Sequence, residues 1–183
     1  MTNSTKKEIY SWIKSIAFAF LIVFICRLFL FTPTTVLGAS MSPTFQDHDK
    51  VVISKTTEIQ RFDVIVFDAP DMDGEHYIKR VIGLPGDRIE MKNDVLYING
   101  VAFEEPYLKE NKEGNLLTKL TEDFSLEEKT GESKVPKDML FVMGDNRLIS
   151  KDSRIFGLIP NDSVIGEVIF RFYPLQEIGV PKD

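Results

Sequence analysis

Residues 15–31, "SIAFAFLIVFICRLFLF", constrain this chain more than any other feature. The run is apolar on every face and only Arg27 interrupts it. A helix packed against a globular core keeps one polar face, and this run has none. As a helix it rises about 25 Å, slightly short of a ~30 Å hydrocarbon core. Snorkelling of Lys14 and Arg27, together with Thr32, completes the span, and Pro33 ends the helix. A signal peptide removed by cleavage needs small residues at −3 and −1 just after the apolar run, and "CRLFLFTP" offers none. The expectation is an uncleaved transmembrane anchor over residues 15–32, with the lipid bilayer as its partner. Lys6, Lys7 and Lys14 precede it. Glu8 and Arg27 weaken that asymmetry without reversing it. Residues 1–14 are therefore expected in the cytoplasm, and residues 33–183 as an extracytoplasmic domain of a single-pass protein of the cell membrane. Tyr10 and Trp12 suit an interfacial aromatic belt.

The length of 183 residues fits one domain plus such an anchor. A net charge of −6 disfavours a nucleic-acid partner, which would call for a basic patch. The single cysteine, Cys26, lies inside the apolar run, so no intramolecular disulfide is possible. Its thiol reads as lipid-facing or packing rather than catalytic.

From Lys50 onward the chain predicts a mainly β fold. "KVVISK", "DVIVFDAP", "HYIKRVIGLPGD", "DMLFVMGDN" and "VIGEVIFRFYP" are short, rich in Val, Ile, Phe and Tyr, and punctuated by turn residues. Asn99-Gly100 in "YINGVAF" is a strong hairpin signal. Residues 104–137 change character. They are charged and poor in strand formers, which predicts a mobile insertion or cap, or a solvated loop, with one short helix around Leu116 to Leu120.

Three stretches carry chemistry. In "LGASMSPTF", Ser40 sits among turn formers, and Pro43 restricts Ser42 to extended geometry. A lone serine in a turn is more often structural than reactive. In "HYIKRVIGLPGD", Lys79 shares a strand face with Tyr77 and Val81, while Arg80 shares the other with Ile78 and Ile82. Both faces are apolar, so periodicity leaves open which basic side chain is buried, or whether both are solvated on an edge strand. A buried lysine has a lowered pKa, and its neutral amine can take a proton from a serine hydroxyl. In "GDNRLISKDSRIFG", Asp145 and Asp152 lack the evenly spaced oxygen ligands of a calcium loop, and two arginines disfavour a cation. No metal is expected there.

Taken together, "SMSPT", "YIKRVIGLPGD" and "GDNRLISKDSRIFG", in this order after an apolar N-terminal run, resemble bacterial type I signal peptidases. These are Ser-Lys membrane peptidases that release secretory proteins. The similarity covers nearly all of the chain except residues 104–137. It implies the β-rich fold shared with LexA-like self-cleaving proteins, secretory preproteins as substrates, cleavage after small residues at −3 and −1, and no cofactor. By position, Ser40 matches the nucleophile and Lys79 the general base. Ser150 matches the serine that orients the lysine amine. Asp145, Asp152 and Arg154 match ion-pairing supports, with Arg80 as a partner of Asp145. The backbone N–H of Ser40 is the natural oxyanion donor. Val36, Met41, Phe45 and Ile78 match pocket-lining positions, though each is also an ordinary core residue. The chain departs from the pattern in two places. Gly38 stands where some relatives carry a second, hydroxyl oxyanion donor, and Leu148-Ile149 replace residues that are often polar.

Other functions are weaker. A non-catalytic assembly factor would lack the Ser-Lys pair. A self-cleaving sensor would need an Ala-Gly type site in an exposed linker. A Ser-His-Asp arrangement through His76 places the histidine on the strand face opposite Lys79, and His48 has no catalytic setting.

Overall fold

The computed structural model describes residues 3–114 and 119–181, with the side chains of residues 7–24 and 27 within the N-terminal helix. That helix, α1, runs Asn3–Phe29. Among the described residues no helix is long and apolar enough to cross a membrane. The described stretch carries Lys7, Glu8 and Lys14 at its start, which dilutes its apolar character. The expected anchor is also corrected at its far end. The helix stops at Phe29, and Phe31–Thr35 forms strand β1, paired antiparallel with β2 (Lys50–Ser54) and with Pro33 opposite Val52. Thr32 therefore belongs to a sheet. Its β-branched neighbours Thr34 and Thr35 favour extended backbone, and Pro33 is tolerated because β1 is an edge strand. The side chain of Cys26 lies outside the described residues.

The rest is mainly β. The strands are β3 (Val64–Asp68), β4 (His76–Gly83), β5 (Ile89–Lys92), β6 (Val95–Ile98), β7 (Val101–Phe103), β8 (Phe124–Ser125), β9 (Met139–Met143), β10 (Ile159–Pro160) and β11 (Val164–Tyr173). Short helices α2 (Lys109–Gly114), α3 (Leu126–Thr130) and α4 (Ser153–Phe156) lie between them. A seven-stranded sheet has the order β1-β2-β11-β3-β4-β9-β10, and a four-stranded sheet the order β7-β6-β5-β8. Asn99 and Gly100 both take positive φ (55° and 81°) and close the β6–β7 hairpin, the geometry that an Asn-Gly turn favours.

Alternation along the strands feeds separate cores. Val64, Val66 and Ile78 pack with Val36, Met41, Phe45, Val51 and Ile53. Ile65, Phe67 and Val81 pack with Leu140, Val142 and Ile159. A third cluster, around Ile82, Ile89, Met91, Leu96, Phe124 and Phe141, joins residues of the two sheets. Strand β4 is thus covered on both sides, and its residues from Ile78 to Gly83 are all buried. The periodicity left open which of Lys79 and Arg80 is inside. Both are, at 4% and 1% exposure.

Residues 104–137 are tied into this body. Tyr107, Leu108 and Leu120 form a buried cluster, and β8 pairs with β5. Ser125 caps α3 through a reciprocal bond pair with Glu128, and Gly131 ends it with a φ of 78°. The segment is poor in strand formers, but a few apolar side chains spaced along it, among them Leu108, Leu120, Phe124, Leu126 and Val135, suffice to dock it. Of the helix expected around Leu116 to Leu120, residues 116–118 lie outside the described residues.

Candidate active site

Strand β1 leads into a turn that carries Ser40. Gly38 begins this turn with φ +82°, a left-handed conformation that side-chain-bearing residues rarely adopt. Its N–H donates to Asp47 Oδ1 at 2.8 Å. A serine hydroxyl at this position would require strained backbone, which gives the glycine a local reason. Beyond Ser40, Met41 is fully buried and pins the turn to the core. From the other side, the Asn146 N–H donates to the Ser40 carbonyl at 3.0 Å, and its side-chain amide to the Ala39 carbonyl at 3.1 Å.

Lys79 reaches this turn from β4. Its Nζ lies 2.7 Å from Ser40 Oγ and donates to the Ile78 carbonyl at 2.9 Å. Burial pushes the Lys79 ammonium down from 10.5 to about 8, against the Asp152 and Asp145 carboxylates, which raise it. A lysine so placed has an appreciable neutral fraction near pH 8 and a serine hydroxyl in direct reach. That is the geometry of a nucleophile with its base.

Behind the pair stand two ion pairs. Arg80 grips Asp145 with Nε at 3.0 Å and Nη2 at 2.8 Å, and its Nη1 donates to the Phe62 carbonyl at 2.8 Å. Thr44 Oγ1 donates to the same Asp145 carboxylate at 2.6 Å, linking it to the Ser40 turn. Arg154 holds Asp152 in a two-point bond, each contact 2.8 Å. Asp152 also caps α4 and accepts the Gly144 N–H at 3.0 Å. Burial opposes ionisation of Asp152, but Arg154 and the Gly144 N–H outweigh it and hold its pKa low. Ser150 Oγ is buried against Gly144, interacts with the Asp152 carboxylate and makes no hydrogen bond to Lys79. The orienting contact to Lys79 that the resemblance implies is therefore not made, and the Ile78 carbonyl holds the amine instead.

A cleft of about 430 Å³ opens beside Ser40 and Lys79. Residues 34–40 form one wall, running from the end of β1 into the Ser40 turn, and residues 74–79 the other, running from a turn at Gly74 into β4. Val36 and Ile78 line it. Met41 and Phe45 do not: both are fully buried in the core beneath, because each packs under the turn with Val51 and Ile53. A larger hollow of about 620 Å³, beside Thr44 and Arg171, contains neither Ser40 nor Lys79. His76 edges the cleft but pairs with Asp68 at 3.0 Å, and His48 pairs with Asp47 at 3.3 Å. Asp68 gives His76 a carboxylate partner that its sequence context does not announce. Among the described residues, no group of three or more His, Cys, Asp or Glu is placed to hold a metal ion.

Sequence reasoning missed a second buried layer. Arg147 forms a buried ion pair with Glu105, at 0% and 2% side-chain exposure. The Arg80 guanidinium lies 3.9 Å from the Tyr107 ring centroid. Arg147 falls inside a motif already read as an ion-pair scaffold. Its partner falls in a charged stretch that gives no signal of burial.

A family model described as signal peptidase, peptidase S26, matches residues 9–173. Signal peptidase IB of Staphylococcus aureus (strain COL) is 47% identical over 180 residues, which is 94% of this chain and 93% of that protein. Signal peptidase I of Bacillus caldolyticus is 44% identical over 183 residues and 98% of each chain. A crystal structure of a signal peptidase I from Enterococcus faecalis is similar with a TM-score of 0.58 at 45% identity, covering 61% of this chain and 97% of that one.

Proposed function

The chain belongs to the signal peptidases of the peptidase S26 family, serine hydrolases, and we propose that it cuts signal peptides from exported preproteins with Ser40 as nucleophile and Lys79 as general base. The observation that carries this reading is the 2.7 Å approach of a buried lysine amine to a serine hydroxyl at the floor of an open cleft. Ser40 Oγ attacks the scissile carbonyl and its proton passes to the neutral Lys79 Nζ. The tetrahedral intermediate places its oxyanion at the Ser40 N–H, which has no acceptor among the described residues. Collapse breaks the peptide bond, and Lys79 gives the proton to the leaving amine of the mature protein. Lys79 then takes a proton from the water that attacks the ester and returns it to Ser40 Oγ as the acyl bond breaks, which frees the signal peptide and restores the neutral amine. Arg80, Asp145, Asp152 and Arg154 keep the loops in register.

An extended substrate fits between the end of β1 and the first residues of β4 as an added strand. All preproteins share the signal-peptide side of the cut, so recognition belongs there. Shallow space beside Val36 and Ile78 suits small residues at −3 and −1. The reading also puts α1 at a lipid bilayer, with the N-terminus on the cytoplasmic side and the β domain across it. In its support, Phe18 and the unbroken stretch from Phe20 to Phe24 consist of exposed large apolar side chains facing every direction around the helix. The apolar sequence also continues beyond the described side chains.

The test is cleavage of a preprotein carrying an Ala-X-Ala site by detergent-solubilised full-length chain, wild type beside Lys79→Ala. Cutting after the second alanine by the wild type alone is the expected result. Equal cutting by both would remove Lys79 from the chemistry. Cutting by neither, with both folded, would favour a non-catalytic assembly role.

A further inference from the structure

Residues 105–111 lie outside the three motifs, yet they touch the catalytic loops repeatedly. Glu105 pairs with Arg147, and Tyr107 lies beneath Arg80. Leu108 is fully buried and anchors the segment. The helix that follows, α2, buries none of its residues. It nonetheless presents one side chain inward to a purpose. The Asn111 amide donates to the Ser42 carbonyl at 3.0 Å and to the Asp145 carbonyl at 2.8 Å.

Those two carbonyls belong to the two loops that must stay together. Ser42 is two residues beyond the nucleophile. Asp145 sits between Gly144, which packs on the Ser40 carbonyl, and Asn146, which bonds it. A planar amide has two N–H groups at a fixed angle on one nitrogen, and here each takes one loop. No other side chain of this size can donate twice in this way.

We propose that Asn111 is a positioning residue for the hydrolytic step. Its amide fixes the nucleophile turn on the Asp145 loop, and so sets the reach of Ser40 Oγ toward Lys79 Nζ. This rests on the reading of Ser40 and Lys79 as the catalytic pair. Asn111 touches no reacting atom, and it acts only through where Ser40 stands. A misplacement of about 1 Å can cost about 100-fold in rate.

Full-length wild type, Asn111→Asp and Asn111→Ala are compared in detergent on the preprotein substrate, with Ser40→Ala alongside. Asn111→Asp keeps the shape and removes both donors; Asn111→Ala removes shape and donors together. The readout is the single-turnover rate constant at saturating enzyme, which belongs to the folded fraction alone. It separates positioning from mere loss of folded protein. Both variants are expected to lose about 10- to 100-fold in this constant, with KM within about twofold of wild type. Asn111→Ala adds no charge and leaves Lys79 buried, so in that variant the pH midpoint of the rate stays where it is in the wild type. A loss of less than about threefold in both variants, or a rise in KM at unchanged rate constant, overturns the proposal. Cleavage by Ser40→Ala would instead overturn the assignment of the catalytic pair, whatever Asn111 does.

Discussion

If Lys79 is the base, as proposed, replacing its buried amine with a neutral isostere, Lys79→Met, should stabilise the fold while abolishing the reaction. Burial lowers the Lys79 pKa from 10.5 to about 8. At 1.36 kcal/mol per tenfold change, the protonated side chain is disfavoured in the folded state by about 3 kcal/mol. Lys79 is only 4% exposed, so solvent screening takes little from that figure. Below pH 8 both folded and unfolded chains carry the proton, and the full penalty applies. Between pH 8 and 10.5 the unfolded chain keeps a proton that the folded chain has lost, so wild-type stability rises with pH. Above 10.5 neither carries it. Methionine does not titrate. Its advantage over lysine is therefore greatest at neutral pH and shrinks by about 2–3 kcal/mol between pH 7 and pH 10. A constant offset, from leaving Ser40 Oγ and the Ile78 carbonyl without the amine, leaves that slope untouched. The assay is urea unfolding of both proteins followed by pulse proteolysis at pH 7, 8, 9 and 10. The only tryptophan, Trp12, lies in α1 and does not report on the β domain. A stability difference independent of pH, or one that widens as pH rises, would refute the account of Lys79 as a desolvated amine.

On the proposed mechanism the same lysine sets the rate profile. kcat/KM should rise about tenfold per pH unit below pH 8 and level off above it, since the neutral amine is the active form. Asp152 raises the Lys79 pKa. In Asp152→Asn the midpoint should therefore move to lower pH, measured on the same preprotein. Gly144→Ala should abolish cleavage, because a Cβ there collides with Ser150 Oγ and with the Ser40 carbonyl, which is backbone and cannot swing aside. Its kcat/KM should fall at least about 100-fold, and a value near wild type would mean that the loop is looser than its packing. Arg147→Met should destabilise by about 3–5 kcal/mol in urea unfolding by stranding Glu105 as an uncompensated buried charge. Adding Glu105→Gln should recover much of that loss.

The strands, the turns and the three chemical stretches were readable because their signals are local. Alternating Val and Ile, an Asn-Gly pair and a Ser-Met-Ser-Pro turn each announce themselves within a few residues. The pairing of Ser40 with Lys79 was not local. It entered through the likeness of ordered motifs to a family, since spacing in sequence does not tell which turn a strand meets. Strand β4 resisted for a different reason. A strand with apolar residues on both faces has no periodicity left to rank Lys79 against Arg80, and the structure buries both. Met41 and Phe45 matched pocket positions, yet they lie wholly in the core, because a turn that exposes one hydroxyl must anchor itself with its neighbours. Residues 104–137 were the least legible. Glu105, Tyr107 and Asn111 do their work through partners far along the chain, and their own stretch reads as solvated charge. At the other end, Pro33 reads as the stop of the helix, yet the helix ends at Phe29 and Pro33 lies inside β1, and nothing local showed that the chain would turn at once into the sheet.

Ser40 and Lys79 meet across 39 residues of sequence, on elements that touch only when the large sheet is complete. With Ser40 and Lys79 as the proposed catalytic pair, the reagent is manufactured by folding. In the unfolded chain an ordinary lysine at 10.5 leaves roughly one amine in three thousand neutral at pH 7, and no hydroxyl is held near it. Once folded, with a pKa of about 8, roughly one in ten is neutral and already in contact. The chain is therefore harmless while it is being made and moved, because the reactive pair does not yet exist. Loss of the sheet would disarm it just as completely, so damaged copies would fail quiet instead of cutting at random.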